Sequence, residues 1–327
     1  MLKRLLALLL PLLAIGVATP VAADHDGVVR FATLPKPGPG FPEGIAADRH
    51  GRIFVSTFDM DPTVTNVIYV IDRNGKVDET IPLPGVLPLG LAFDSRGNLF
   101  VANIGGGSIL KFKPPFDSSS QPAKIFPVCP DANCGLNAIT FDAAGALYVS
   151  DSAGGRVFKL DLPDDTSITF LSDERLKPAP APHGFPPFGA NGLAFDAAGA
   201  NLYIANTADD RILKYNLASE TLATFAESIN GADGIAFDHR SRLWVAANQG
   251  DEVVALNSKG RIVERIGSFQ GIGNDRAAKG LLFPASIVIS RGHMYVTNLA
   301  LPLTGAQGDE PEEEAETHTV SRFRLPH

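Results

Sequence analysis

Short apolar stretches alternate with polar turns along most of this chain, and the alternation recurs as a repeat. In each repeat an apolar strand, such as residues 89–93, leads into a turn, such as residues 94–97, where Asp and Gly favour chain reversal. A second strand rich in Val, Ile, Tyr and Phe comes next, and a third with alternating polar residues follows it. The six repeats open at Glu43, Leu89, Asn137, Asn191, Asp233 and Ala285, at intervals of 42 to 54 residues.

Repeats of this length that are built from strands predict the blades of a β-propeller, with four antiparallel strands in each. The last segment, TVSRFRL at 319–325, matches a third strand, and too little chain follows it to supply a fourth. The segment VVRFATL at 28–34 precedes the first repeat and can fill that place, which protects strand edges that an open array would expose. We therefore predict an all-β fold, a six-bladed β-propeller whose last blade is shared by the two ends of the chain. It forms a single domain over residues 24–327.

The first 23 residues have the features of a signal peptide. Lys3 and Arg4 precede an apolar run over residues 5–17, and the small residues at 21–23 suit a signal peptidase. A membrane anchor is the competing interpretation, but the run is shorter than the roughly 20 residues that cross a bilayer. We expect an exported protein, periplasmic or secreted, whose mature chain starts at Asp24 and contains no membrane span.

Charge and cysteine content narrow the possible partners. The net charge of −8 with no basic cluster argues against nucleic acid as a partner, because phosphate contacts need grouped Lys and Arg. Cys129 and Cys134 are the only two cysteines, and in an oxidising compartment they could close a short disulfide loop. Two free thiols are the alternative. A metal site would need further Cys or His nearby.

The opening residues of the repeats provide the candidate chemistry. First strands line the channel of a propeller, so these residues form a ring, and four of the six carry hard oxygen donors: Glu43, Asn137, Asn191 and Asp233. Such donors suit Ca²⁺, Mg²⁺ or Mn²⁺, whereas zinc more readily recruits His or Cys. The alternative is that these side chains only bond one another and channel water. Against it, converging carboxylates repel each other and lose hydration unless a cation or proton intervenes.

At these residues the chain resembles the family of senescence-marker protein, gluconolactonase and luciferin-regenerating enzyme. It is more loosely similar to the diisopropylfluorophosphatase and paraoxonase propellers. The resemblance is carried by Pro42-Glu43-Gly44, Asn191-Gly192-Leu193 and Asp233-Gly234-Ile235 in register with the repeat. It implies one catalytic divalent cation held by Glu43, Asn137, Asn191 and Asp233, with Asp233 also acting as general base or nucleophile. Sugar lactonases of the family carry an Arg and often an Asp where this chain has Gly135 and Ala138, which puts a gluconolactone-like polyhydroxylated substrate in doubt.

The ends of the second strands are candidate substrate-binding positions. They are Thr57, Asn103, Asp151, Asn206, Ala247 and Asn298, and the four Asn or Asp residues could orient a substrate or could be ordinary turn residues. The long connections at 177–188 and 267–283 are candidate lids, and His183 in the first is a possible acid or base or a merely exposed residue. The acidic run at 309–316 is expected to be a solvated loop.

These features favour a divalent-metal-dependent hydrolase of the lactonase, esterase or phosphotriesterase kind. Ca²⁺ is the favoured ion, with Mg²⁺, Mn²⁺ and Zn²⁺ as alternatives, and the expected partner is a small molecule such as a lactone or ester. The rival hypothesis is a non-catalytic propeller that binds a ligand or protein around a structural ion, because one fold can host both roles. The sequence indicates no oligomeric state.

Overall fold

The computed structural model of the protein describes residues 27–36, 38, 40–129, 134–178, 188–302 and 311–326. The predicted signal peptide, His183, Asp309 and Glu310 lie outside these residues. Among the residues that are described, none of the helices has the length and apolar character needed to cross a membrane.

The strands follow the predicted repeat. Strand β1 (Val29–Thr33) precedes the repeats. Blade one contains β2 (Phe41–Ala47), β3 (Ile53–Phe58), β4 (Asn66–Ile71) and β5 (Val77–Leu83). Blade two contains β6 (Pro88–Phe93), β7 (Leu99–Asn103), β8 (Ser108–Phe112) and β9 (Lys124–Pro127). Blade three contains β10 (Leu136–Phe141), β11 (Leu147–Asp151), β12 (Arg156–Asp161) and β13 (Thr166–Ser172).

The second half of the chain continues in the same way. Blade four contains β14 (Ala190–Phe195), β15 (Asn201–Asn206), β16 (Arg211–Asn216) and β17 (Thr221–Glu227). Blade five contains β18 (Ala232–Phe237), β19 (Leu243–Ala247), β20 (Glu252–Leu256) and β21 (Ile262–Ile266). A separate hairpin, β22 (Phe269–Ile272) with β23 (Ala278–Gly280), connects it to blade six. Blade six contains β24 (Pro284–Ser290), β25 (His293–Asn298) and β26 (Thr319–Arg324).

The described helices are short. They are two 3₁₀ helices, Glu174–Leu176 and Asn248–Gly250, and one α-helix, α1 (Pro311–Glu314). The six blades and their short connections therefore form the β-propeller that the sequence predicted.

Closure of the ring also follows the prediction. Strand β1 pairs antiparallel with β26, with Ala32 opposite Val320 and Thr33 opposite Thr319, so blade six has the order β1-β26-β25-β24. The first strands of neighbouring blades contact one another around the whole ring, from β2 through β6, β10, β14, β18 and β24 back to β2. The two ends of the chain thus complete one sheet, which leaves no open blade.

The hydrophobic core lies between the blades. In each blade, the strands near the channel carry apolar side chains on both faces of the sheet. One apolar cluster fills each of the six interfaces between neighbouring sheets. Trp244 of blade five, for example, is fully buried against Val296 and Phe323 of blade six. Because burial of apolar area contributes about 25 cal/mol per Å², these interfaces are the main source of stability and hold the first strands in place.

Candidate metal centre

A β-bulge interrupts the pairing of the first two strands at the same place in every blade. In blade one, Pro42 pairs with Thr57 and Ile45 pairs with Val55, so Glu43 and Gly44 lie opposite a single residue of β3. The same register shift occurs in the other five blades. A bulge changes the direction of a side chain relative to the regular alternation of a strand. It falls at the opening residue of each repeat, where it positions the ring.

Glycines beside the ring let the first strands approach closely. Gly44 and Gly192 follow Glu43 and Asn191, and a Cβ atom on either would overlap the backbone carbonyl oxygen of the next blade's opening residue, Leu89 or Asp233. Only a residue without a side chain fits such an approach. The ring is therefore narrower than first strands with side chains at these positions would allow.

One small cavity collects the predicted metal ligands. Its polar wall consists of Glu43, Asn137, Asn191, Asp233 and Asn248. Its apolar wall consists of Phe58, Leu89, Phe188, Phe283, Leu299 and Leu301. The cavity volume is about 30 Å³, room for an ion and a water molecule, and none of the four predicted ligands is more than 6% exposed. The structure thus brings together all four residues that the sequence selected for metal binding.

The cavity is an unfavourable environment for the ionised forms of its two carboxyl groups, Glu43 and Asp233. Burial raises the pKa of Asp233 to about 7, although hydrogen bonds from Asn248 and Asn191 lower it in part. Burial, and then the charge of Asp233, raise the pKa of Glu43 well above its ordinary value of 4.5. Glu43 Oε2 and Asp233 Oδ1 are both buried and have no hydrogen-bond partner among the described residues. Unpartnered buried carboxylate oxygens are costly unless a cation or a proton meets them.

Hydroxyl groups fix the orientation of the two amides. Thr207 Oγ1 donates its single proton to the carbonyl oxygen of Ala232 at 2.8 Å, so it must accept the 3.0 Å hydrogen bond from Asn191 Nδ2. In the preceding blade Ser152 Oγ donates to Ala190 O at 2.7 Å and accepts from Asn137 Nδ2 at 3.2 Å. The nitrogen of each amide is thereby tied to a hydroxyl, which leaves its Oδ1 atom as the donor toward a cation.

Asn248 adds a fifth polar side chain that the sequence did not single out. Its Nδ2 donates to Asp233 Oδ2 at 3.1 Å, and its Oδ1 is buried with no partner among the described residues. Asn248 is 2% exposed and lines the same cavity. It therefore fixes the Asp233 carboxylate and adds another unpartnered oxygen.

The residues present fit a hard divalent cation. The unpartnered atoms are oxygens, two of them from carboxylates, and the remaining candidates are amide oxygens, which is the donor chemistry of Ca²⁺ and Mg²⁺ sites. Among the described residues, no His or Cys side chain lines this cavity, which disfavours zinc. Glu43, Asn137, Asn191 and Asp233 are the residues that could hold the ion.

The four predicted substrate-binding residues lie elsewhere. None of them lines the cavity. Each is buried and makes hydrogen bonds that hold nearby loops or strands. Their partners are the N–H of Leu87 for Asn103, the N–H of Gly135 for Asp151, the carbonyl oxygens of Arg175 and Lys177 for Asn206, and the hydroxyls of Thr319 and Ser321 for Asn298. Substrate binding by these residues stays a prediction, and the contacts that they make are structural.

The side chains that line the cavity or bond its candidate ligands come one residue later. Ser152 and Thr207 bond Asn137 and Asn191, and Asn248 lines the cavity, as do Phe58 and Leu299 at the equivalent positions of blades one and six. Ser152, Thr207 and Asn248 directly follow Asp151, Asn206 and Ala247, the last residues of their second strands. The signal that could have revealed them is the run of Ser, Thr and Asn at one repeat position in blades three, four and five.

The two cysteines lie next to the third blade. Cys129 and Cys134 are joined by a disulfide with a Cα–Cα distance of 6.1 Å. The loop returns at Gly135, whose N–H donates to Asp151 Oδ1 at 2.8 Å, and Asp151 also accepts a 2.7 Å ion-pair bond from Arg156 Nε. These contacts anchor the chain two residues before Asn137.

Comparison with known families supports the resemblance seen in the sequence. The family model for the SMP-30/Gluconolactonase/LRE-like region matches residues 187–268, a segment that contains Asn191, Asp233 and Asn248. No curated protein matches the chain significantly in sequence.

Solved structures share the fold along nearly the whole chain. A luciferin-regenerating enzyme is 17% identical with a TM-score of 0.67, covering 91% of this chain and 96% of its own. A gluconolactonase from Xanthomonas campestris is 14% identical with a TM-score of 0.64, covering 91% and 89%. Virginiamycin B lyase from Staphylococcus aureus is 12% identical with a TM-score of 0.58, covering 91% and 98%. At these identities the similarity establishes the propeller fold.

Proposed function

We propose that this protein is an exported, lactonase-like metallohydrolase that holds one divalent cation in its channel. The observation that carries the proposal is the pair of buried carboxylate oxygens without partners, Glu43 Oε2 and Asp233 Oδ1, in a cavity lined by three further amide side chains. The family match over residues 187–268 and the fold shared with a gluconolactonase support hydrolysis of a lactone or a related ester. The apolar N-terminal run followed by small residues supports export.

Four buried protein residues with oxygen donors favour Ca²⁺, because Mg²⁺ usually keeps several water ligands and Zn²⁺ more readily recruits His or Cys. Mn²⁺ is a further alternative. When bound, the cation polarises the carbonyl or phosphoryl oxygen of the substrate. Glu43, Asn137 and Asn191 contribute binding, and the hydroxyls of Ser152 and Thr207 keep the two amide oxygens turned toward the ion.

Asp233 is the residue in this cavity suited to proton transfer or attack. Asn248 holds Oδ2 by a hydrogen bond, and Oδ1 has no partner among the described residues, so Oδ1 is the atom that accepts a proton from water or attacks the substrate directly. Glu43 has no such assigned role, because the resemblance gives it ligation alone. This difference between the two carboxylates can be tested.

The test compares Asp233→Asn with Glu43→Gln in the mature protein, whose first residue is expected to be Asp24. Asn keeps one oxygen of similar reach but lacks the basicity of a carboxylate, so we expect Asp233→Asn to lose about 10²- to 10⁴-fold in kcat even with the ion bound. Glu43→Gln is expected to lose cation affinity and to recover part of its activity in excess cation. The measurement is hydrolysis of a lactone, ester and phosphotriester panel, with metal content, across a cation titration and with chelator.

Two outcomes would contradict the proposal. Full turnover by metal-loaded Asp233→Asn would remove the assigned role of that residue. A wild-type protein that binds a cation tightly yet hydrolyses no member of the panel would instead support the rival, a binding propeller with a structural ion.

A further inference from the structure

The wall of the candidate metal cavity is divided into a polar and an apolar half. Blades three, four and five supply Asn137, Asn191, Asp233 and Asn248. Blades two, one and six supply Leu89, Phe58, Leu299 and Leu301, and Phe283 directly precedes the first strand of blade six. Phe188, which lies shortly before the first strand of blade four, is the apolar residue on the polar side. Glu43 of blade one is the one polar lining residue that blades two, one and six contribute among the described residues. The chemistry therefore changes from one side of the ring to the other.

The division recurs at two levels of the repeat. At the opening position, blades three to five carry Asn or Asp, whereas blades two and six carry Leu89 and Ala285. At the position after the second strand, blades three to five carry Ser152, Thr207 and Asn248, whereas blades six, one and two carry Leu299, Phe58 and Ile104. Equivalent backbone positions thus accept polar side chains in one half of the ring and carry apolar ones in the other.

The apolar half is a packed surface that continues to the mouth of the cavity. Phe283 and Leu299 are each 5% exposed and form a cluster with Ala285, Phe41 and Leu301. Phe58 is half-buried, so it extends the apolar wall to solvent. The cavity volume of about 30 Å³ is too small for the body of an organic substrate. Groups of the substrate beyond the reacting carbonyl must therefore lie at the mouth, among these side chains.

This wall discriminates against hydroxyl-rich molecules. A hydroxyl group placed against Phe58, Leu89 or Leu299 would lose its hydrogen bonds to water without gaining a partner, which is unfavourable. A hydrocarbon chain placed there would instead gain from leaving water. On the polar side of the cavity, the amide nitrogens of Asn137 and Asn191 already donate hydrogen bonds to the hydroxyl groups of Ser152 and Thr207.

We infer that the site takes lactones or esters with a hydrocarbon substituent, which lies against Phe58, Leu299 and Leu301 while the carbonyl faces Asp233. This inference rests on the proposed hydrolase function and assigns its substrate class. It excludes polyhydroxylated sugar lactones as the preferred substrates.

The experiment measures kcat/KM of the cation-loaded enzyme on γ-lactones with alkyl substituents of increasing length, with glucono-δ-lactone as the polyol comparison. Burial of a methylene group contributes about 0.8 kcal/mol, so kcat/KM should rise by about fourfold for each of the first few methylenes and then level off. Glucono-δ-lactone should be the poorest substrate. Equal rates along the series, or a preference for glucono-δ-lactone, would overturn the inference and leave hydrolysis intact.

A pair of variants tests whether the preference for longer alkyl substituents depends on the apolar wall. Phe58→Asn places a polar side chain in the apolar wall and should lower the ratio of kcat/KM for the longest lactone to that for the shortest by about tenfold. Met60→Asn is the matched control, because Met60 lies two residues beyond Phe58 and the end of β3, is 73% exposed and does not line the cavity. Its ratio should equal that of the wild type, and equal loss in both variants would contradict the assignment.

Binding of the corresponding lactams, which resist hydrolysis, separates this inference from the proposed function. Calorimetry of the alkyl-substituted lactam series should give affinities that rise with chain length and that fall in Phe58→Asn. If no lactone is hydrolysed but the lactams bind in this manner, the hydrolase proposal fails and the apolar site stands. If lactones are hydrolysed but lactam affinity is independent of chain length, the apolar site is wrong.

Discussion

At the scale of single residues, the candidate centre depends on side chains that hold other side chains. Thr207 and Ser152 each donate one proton to a backbone carbonyl of the following blade, and this fixes how the ligand amides turn. Asn248 plays the same part for Asp233. The ligands were predictable from the sequence because they occupy one repeat position. The residues that support them were not, because they follow the ends of the second strands and meet the candidate ligands only in the folded blade.

Replacement of Asn248 by Ala should weaken the centre without unfolding the protein. Loss of the hydrogen bond to Asp233 Oδ2 leaves a buried carboxylate less well oriented, and supporting residues of metal sites typically contribute 10- to 100-fold in affinity or activity. We expect a loss of that size in cation affinity, measured by competition with a fluorescent chelator. Asn230→Ala is the control, since Asn230 is exposed and bonds only the neighbouring backbone of Gln249 among the described residues. Unchanged affinity in Asn248→Ala would show that the contact is incidental.

At the scale of the strand, the bulge and the residue after each ligand determine the geometry. The strands themselves and their order follow from the alternation of apolar and polar residues, and the pairing of β1 with β26 follows from the incomplete last repeat. The bulge leaves no mark in that alternation, because it depends on which residue of the second strand lies opposite. The glycines are visible in the sequence, but the close approach that they permit is not.

Gly192→Ala should disturb both the fold and the ion site. The added Cβ would overlap the carbonyl oxygen of Asp233, so the first strands of blades four and five must separate. Overpacking of this kind costs about 1 to 3 kcal/mol in the free energy of unfolding, and cation affinity should fall with it. Ala138→Gly at the equivalent position of blade three should cost less than about 1 kcal/mol, as expected for added backbone freedom alone. Chemical denaturation and a cation titration measure both quantities, and a fully stable Gly192→Ala protein would contradict the close approach.

At the scale of the whole molecule, closure of six blades places two carboxyl groups in one buried cavity. Six interface clusters stabilise the ring, and the ring in turn imposes the cost of burying Glu43 and Asp233 together. Without a cation, that cost depends on pH. A carboxyl group whose pKa is raised on folding binds more protons in the native than in the unfolded state, so its contribution to stability is lost as pH rises.

We therefore expect the cation-free protein to lose stability at Asp233 as pH rises from about 4 to about 7, and to remain destabilised above this range. Burial raises the pKa of this carboxyl group from 3.8 to about 7, so the native state gives up its bound proton at a higher pH than the unfolded state. Burial lowers the pKa of His318 to about 4, which acts in the opposite sense below pH 6.5, so the test compares wild type with Asp233→Asn. In chelator, Asp233→Asn should gain stability relative to wild type as pH rises from 5 to 8. Added Ca²⁺ at pH 8 should stabilise wild type more than the variant, and parallel pH profiles would contradict a buried charge at Asp233.

The sequence by itself determined the all-β repeat, the six blades, the shared last blade and the four ring residues, because each is a local pattern repeated at one interval. The tertiary structure alone decided which neighbouring side chains complete the centre. Asn103, Asp151, Asn206 and Asn298 bond nearby loops and strands. Ser152, Thr207 and Asn248, each one residue beyond the end of a second strand, instead bond the candidate ligands. The contrast between polar and apolar halves of the ring likewise exists only once the ring is closed, because closure makes blade six the neighbour of blade one.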